Sequence, residues 1–584
     1  MADGLGARCK SRGLGRQHGR SGSADSVSVR YASIIREILR SSSLNGAGGS
    51  WPAVELPLTR MRGERSLLGR RRGQVSIADV DGWYKKIPHN SFWRRIHDWS
   101  GTTLSDDQFA DWYAPTGRPS IPPSYMLTLI LIQLRFGWSD REVVENAYFD
   151  DRVKFALGVS RMPEITCEHS TVCRYRARFL AAGMGRQILR ETLQAAAERG
   201  LLGDEEDLVD SFPIAGAAAR QGTHVLIYRA IGRVLAEAAE AKVEVPALGR
   251  SDYGRRRKPQ IAWRNDAARQ ALLEELVEDG RLLCARLGAV DLPESLGQAV
   301  EILHMVVEQD IETDDKGRVT IARKTAPDRV ISVSDPDMRH GRKTSSQKYD
   351  GYKGHLLTAN TTADQPRLIT AAAATAANVA DGAVLAELLK QRAELTGSMP
   401  HKVMGDTAYG GVETRERVAR VAPDTRVEAP VPPAVAAGGR YAKTDFTIDL
   451  EAHTVTCPAE NTIVYTPKKT ILGHKDTQSV RFPAKMCEAC PLRAGCVGAK
   501  RGGRTITIRA DEADIRVLRA RQADPAWQAH YCERSRVEHV NQCVCHHGGR
   551  RARGCGQAKV DWADVTFGDS IMVTYAITRS RYAN

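Results

Sequence analysis

The sequence predicts an α/β fold, and three observations carry that expectation. Residues 76–200 read as successive helices. Residues 204–432 alternate short apolar strand patterns with helical ones. Residues 433–510 are strand-rich and hold four of the twelve cysteines, before a helix returns near Asp524.

Length and charge bound the rest. At 584 residues the chain has room for several domains. With 84 Lys and Arg against 70 Asp and Glu, the net charge is +14, which favours an acidic partner, most often nucleic acid. The longest apolar run, "YMLTLILIQL" at 125–134, is far shorter than the ~20 residues of a membrane helix. No charged-head, apolar-body signal pattern opens the chain. A soluble intracellular protein is expected, with no membrane partner and with cysteines as thiols or metal ligands.

The helical region justifies itself piece by piece. Residues 1–75, rich in Gly, Ser and Arg, predict a disordered basic extension whose "RRRG" (70–73) is a solvated tail or a phosphate contact. "PPSYMLTLILIQLRFG" predicts a buried helix with its prolines in the first turn. Ser139 and Glu142 form a capping-box pattern that starts another. "HSTVCRYRARFLAAG" then sets Arg174, Arg176 and Arg178 beside apolar Val172, Tyr175 and Phe179. Short helices ending in a basic one suit a helix-turn-helix-like DNA-binding unit over 76–200. The other reading is a plain helical bundle with a charged face.

From 204 the strands begin. "DLVDSFPIAGAAA" is a short strand pattern interrupted by Asp210, and a charged helical insert follows at about 222–310, containing "GRRRKP" (254–259). "YKGHLLTANTT" and "RLITAAAATAA" predict a hairpin around a turn with Asp364 and Pro366. A helix (381–396), the strand before Asp406, a helix near 412–421 and a strand at "RVEAPV" complete this part. The last element is a long helix, with Asp524 as N-cap and Pro525 at its first position.

Three acids are candidates for chemistry. Asp210 and Asp406 are expected at strand ends, where an open sheet places its ligands. Glu538 shares a helix face with Tyr531 and Arg534, spaced three then four apart. Singly, each has an ordinary reading as a turn, cap or surface-pair residue. Together, carboxylates from two strands and a helix can hold two Mg²⁺ ions that clamp both oxygens of a phosphodiester displacement. Without a cation, such close carboxylates repel and one tends to stay protonated. A second candidate is Cys457, Cys487, Cys490 and Cys496, spaced C-x29-C-x2-C-x5-C. Thiolates at this spacing suit a structural Zn²⁺ that staples a small insert, the alternative being small buried thiols.

The chain from about residue 76 onward resembles insertion-sequence transposases of the DDE class found in bacteria. The resemblance rests on collinear stretches such as "GRPSIPPSYML", "GWSDREVVENAYFD", "VDSFPIAGAAARQ", "YDGYKGHL", "VMGDTAYGGVETRE", "CEACPLRAGC" and "GGRRARGCGQAKV". It implies a ribonuclease H-like mixed sheet flanked by helices. That catalytic domain would run over 204–432 and 511–584, split by a zinc-binding insert at 433–510. It implies Asp210, Asp406 and Glu538 as catalytic residues holding Mg²⁺ or Mn²⁺, and Tyr531 and Arg534 as DNA contacts. The implied partners are double-stranded DNA (transposon inverted repeats and target) and further copies of the chain in the DNA complex. The implied location is the cytoplasm, at the nucleoid. The chain departs from the family pattern at Cys545, where a basic residue is usual, and at Ser211 and Phe212 after the first aspartate. Cys545 is expected on the face of Glu538, near DNA phosphate. The departures keep two alternatives open: a decayed transposase acting as a DNA-binding repressor, and a ribonuclease H-fold nuclease without strand transfer.

Overall fold

The computed structural model describes residues 82–561, except 114–118, 161–166, 255–257, 316, 325, 345, 362–366, 433–436, 467–476 and 510. The expectations for the N-terminal extension, the Asp364–Pro366 turn, the arginines of "GRRRKP" and the chain after 561 lie outside the described residues.

The N-terminal helices are α1 (Phe92–Thr103), α2 (Pro123–Phe136), α3 (Asp140–Phe149), α4 (Asp151–Leu157), α5 (His169–Ala181) and α6 (Met184–Ala197). Helix α2 starts with Pro123 at its first position, is buried from Pro123 to Leu134, and ends on Gly137 at φ 71°. That left-handed cap is what glycine tolerates best. The capping box of α3 is complete: Ser139 Oγ accepts from the Glu142 amide (3.2 Å) and Glu142 Oε2 from the Ser139 amide (2.7 Å).

Strand β1 (Glu206–Ala215) follows, then α7 (Thr223–Ala241), α8 (Asp266–Leu287) and α9 (Glu294–Asp310). These three helices share an apolar core that includes Leu226, Leu276 and Leu303. A small hairpin, β2 (Ile311–Thr313) with β3 (Val319–Ile321), leads on to β4 (Arg339–Arg342), β5 (Lys348–Ala359) and β6 (Ile369–Ala376). Then come α10 (Leu385–Thr396), β7 (Lys402–Met404), α11 (Val412–Val421) and β8 (Arg426–Glu428). The main sheet has the order β4-β5-β1-β7-β8, with β6 also on β5. It is mixed: β1 is antiparallel to β5 and parallel to β7, which is parallel to β8.

Alternation along β1 sorts the two layers. Val209 faces α10 and α11, packing with Leu388, Val403 and Val418. Leu208 packs with Met404 and Val537, whereas Phe212 and Ile214 join the core of the N-terminal helices. One apolar cluster therefore runs from Leu129 and Phe179 into the sheet, so the N-terminal region is seated on the sheet rather than tethered beside it. Phe212, one of the family departures, is a buried member of this cluster.

The cysteine-bearing segment contains β9 (Thr447–Asp449), β10 (Thr454–Thr456) and β11 (Thr462–Val464) in one sheet. It also contains β12 (Thr477–Arg481), α12 (Ala484–Glu488), α13 (Arg493–Cys496) and β13 (Thr505–Arg509). Helix α14 (Glu512–Gln522) returns the chain to the main sheet. The long terminal helix of the sequence reading is broken instead. After α15 (Pro525–Tyr531), capped by Asp524 as expected, a 3₁₀ turn at Cys532–Arg534 precedes α16 (Ser535–Val544).

Candidate active site

Asp210 lies in the middle of β1, not at its end: the strand continues five residues further because β5 pairs with it as far as Ala215. What ends near Asp210 is the ladder to β7. The last parallel pair is Leu208 with Met404. Two residues further on each strand bring the chain to Asp210 and Asp406. Asp406 lies just beyond β7, as expected, and caps the turn Thr407–Tyr409 by accepting from the Ala408 amide (2.8 Å).

The third acid comes from α16, which crosses the same face of β1. Val537 packs on Leu208 and Met404, leaving its neighbour Glu538 exposed at the site's edge. Arg534 Nη2 donates to Glu538 Oε1 (2.7 Å). Tyr531 Oη donates to the carbonyl of Gly405 (3.1 Å), and its ring stacks on Trp527 at 4.8 Å. The end of α15 is thereby tied to the residue preceding Asp406. Tyr409, fully buried, floors the site. A Cβ on Gly405 would meet both the Tyr409 ring and Val209 at 2.8 Å, so glycine is needed there.

The electrostatics tie the three acids together. Burial pushes the Asp210 carboxyl up to about 6, a hydrogen bond from the Ser211 backbone N–H and the Arg534 charge oppose the shift, and Asp406 and Glu538 add to it. Asp406 is also raised, by burial first and then by Asp381, against the Ala408 amide, Arg534 and Lys353. For Arg534, burial acts to lower the pKa. Tyr531, Asp210, Glu538 and Asp406 outweigh that and hold it firmly charged.

Sequence reasoning missed several neighbours. Asn541 Nδ2 donates to Asp210 Oδ2 (2.7 Å). Lys353 Nζ donates to Asp381 Oδ1 (2.6 Å) and to the Val379 carbonyl (2.8 Å), which sets this pair beside Asp406. Asn541 was findable, since it follows Glu538 by three on the same helix face. Lys353 and Asp381 had no local signal. A further group, Glu206, His530 and Glu533, has donor atoms within 4.8 Å of one another and could hold a metal ion. Its members are already bonded: His530 Nε2 lies 2.8 Å from Glu206 Oε1, Asn360 donates to Glu206, and Arg536 donates to Glu533. Among the described residues neither the three acids nor the four cysteines are drawn in that tightly.

The four cysteines nevertheless converge. Cys457, Cys487, Cys490 and Cys496 line one cavity with Tyr441, Phe482 and Arg504. Burial raises the Cys496 thiol, Arg504 opposes this, and the other three sulfurs add to it. Two N–H groups already point at sulfur: Arg504 N to Cys487 Sγ (3.5 Å) and Asn461 Nδ2 to Cys457 Sγ (3.7 Å).

The basic residues of α5 differ among themselves. Arg176 is bonded to Asp140 and to Gln133 Oε1 (2.8 Å), and Arg178 donates to the Trp112 carbonyl (3.2 Å) and lies over the Tyr113 ring. Arg174 is exposed, with a local bond to Thr171 (3.2 Å). Cys545 opens a widened turn (Cys545–Gly549) directly after α16 and packs, partly buried, against the main apolar cluster.

Two family models match the chain. A transposase domain (DUF772) matches residues 81–178, which hold the three arginines. A transposase DDE domain matches residues 456–566, which hold the four cysteines and Glu538. No curated protein and no solved structure matches. The two matched stretches together indicate a transposase. Both matches support an insertion-sequence transposase of the DDE class. Among the described residues no helix is long and apolar enough to cross a membrane.

Proposed function

We propose that the protein binds the inverted ends of its own element, cleaves DNA there and joins the freed 3′ hydroxyl to target DNA. The observation that supports this most is the shared field of Asp210, Asp406 and Glu538, three acids far apart in sequence and coupled in the fold. Neighbouring carboxylates whose charges oppose one another, two of them half-buried, suit a divalent cation. Asp210, Asp406 and Glu538 would hold Mg²⁺ or Mn²⁺, the sheet then being a ribonuclease H-like one. When bound, the ions activate the attacking hydroxyl and offset charge on the phosphate.

The chain's own residues do the rest. Arg534 orients Glu538 and remains cationic at the DNA backbone. Tyr531, the last residue of α15, fixes that helix to the turn that carries Asp406. The region 76–200 acts as the DNA-binding domain. In it Arg174 reaches phosphate, while Arg176 and Arg178 hold α5 in place behind it. The insert 433–510 closes on Zn²⁺ through Cys457, Cys487, Cys490 and Cys496, with N–H···S bonds of the kind that tune such sites. Catalysis takes place in an assembly of several copies on DNA, in the cytoplasm at the nucleoid.

The test is purified protein with Mg²⁺ or Mn²⁺, a duplex carrying the element's inverted repeat, and a second plasmid. Cleavage at the repeat and joined products are expected. Binding without cleavage would leave a DNA-binding repressor, and cleavage without joining a nuclease.

A further inference from the structure

Asn541 is 8 % exposed and lies beside the acids without an assigned part. One end of its amide donates to Asp210 Oδ2 at 2.7 Å. A carboxylate only accepts, so the end facing it must be the nitrogen, and the other end is fixed as the carbonyl. That carbonyl oxygen is buried and has no hydrogen-bond partner among the described residues. An orphaned buried acceptor is costly, about 1–3 kcal/mol, and rare without a reason. Asn541 also follows Glu538 by three residues on α16, so it shares the face turned to the sheet.

We infer that Asn541 is a positioning residue of the cation site. Its nitrogen holds one oxygen of Asp210 aside so that the other is free for a ligand role. Its carbonyl accepts from a water molecule that enters with a hydrated divalent cation. The inference rests on the reading of Asp210, Asp406 and Glu538 as the cation-holding set. It accounts for both ends of the amide at once, whereas a purely structural role leaves the carbonyl unexplained.

Mn²⁺ binding to the full chain without DNA, followed by the electron paramagnetic resonance of the free ion, tests this. The Mn²⁺ lost in Asp406→Ala defines the site and sets aside binding elsewhere. Asn541→Leu removes both polar atoms at similar volume. It should weaken Mn²⁺ at that site by about 10- to 100-fold, the usual effect of removing a partner that orients a ligand. Its thermal midpoint without divalent ions should be equal to or above wild type, because the orphaned acceptor is gone. Asn541→Ala carries the same expectation for Mn²⁺ and serves if the leucine variant does not fold. Wild-type Mn²⁺ affinity in a folded Asn541 variant, with the site absent in Asp406→Ala, would overturn the inference. Unchanged binding in Asp406→Ala would overturn the reading of the acids instead.

Discussion

Asp210 and Asp406 stand two residues beyond the same ladder pair, Leu208 with Met404, on neighbouring parallel strands. Burial is the larger cause of the raised pKa of both; Asp406 adds to it for Asp210, and Asp381 for Asp406. If they share cations with Glu538, alanine at any of the three should abolish strand cleavage and leave binding to the element ends largely intact. Gel-shift and cleavage assays on one preparation decide this. Near wild-type cleavage by Asp406→Ala would remove it from the site.

The Asp210 carboxyl has a further consequence for stability. Its folded pKa, about 6, lies above the unfolded value near 3.9. Between those values the folded state binds the extra proton, so stability falls as pH rises through the window and stays lower above it. The cost at pH 8 is of order 1–3 kcal/mol. Asp210→Asn should therefore raise the melting temperature without divalent ions at pH 8 and give no gain at pH 4. A loss at pH 8 would show that the ionised carboxylate is not strained.

Gly405 precedes Asp406 where a Cβ would press on Tyr409 and Val209. Gly405→Ala should destabilise by about 1–3 kcal/mol, the range for overpacking a tight site. It should also lower cleavage, because the Asp406 turn must shift. Urea titration and initial rates measure the two effects, and an unchanged midpoint would mean that the site can yield without strain.

The arginines of α5 should separate by experiment. Arg174→Ala should weaken DNA binding and reduce the slope of log affinity against log salt by about 0.9, with stability unchanged. Arg176→Ala leaves the Asp140 carboxylate without the guanidinium that holds its pKa down against burial, and should act chiefly on folding. Equal effects of both on DNA and neither on melting would contradict the assignment.

Purified protein should contain about one zinc per chain, and a Cys487→Ser, Cys490→Ser double variant should lose it. Limited proteolysis of that variant should open the 433–510 segment first. Elemental analysis without zinc in protein never exposed to chelator would count against the cysteine site.

The sequence by itself determined whatever depends on short-range pattern. The caps at Ser139 and Asp524, the buried run of α2, the β5–β6 hairpin and the charged insert of α7 to α9 are readable because neighbours a few residues apart specify them. The alternation that sets Val209 opposite Leu208 and Asp210 is of the same kind. Only the tertiary structure decided the extent of β1, which continues past Asp210 because β5 supplies a partner. It also decided the break before α16, the packing of Cys545 against the apolar cluster, and the internal pairing of Arg176. Lys353 and Asp381 meet the acids only through packing. A side chain's field depends on what folding brings within a few ångströms of it, and no local pattern records that.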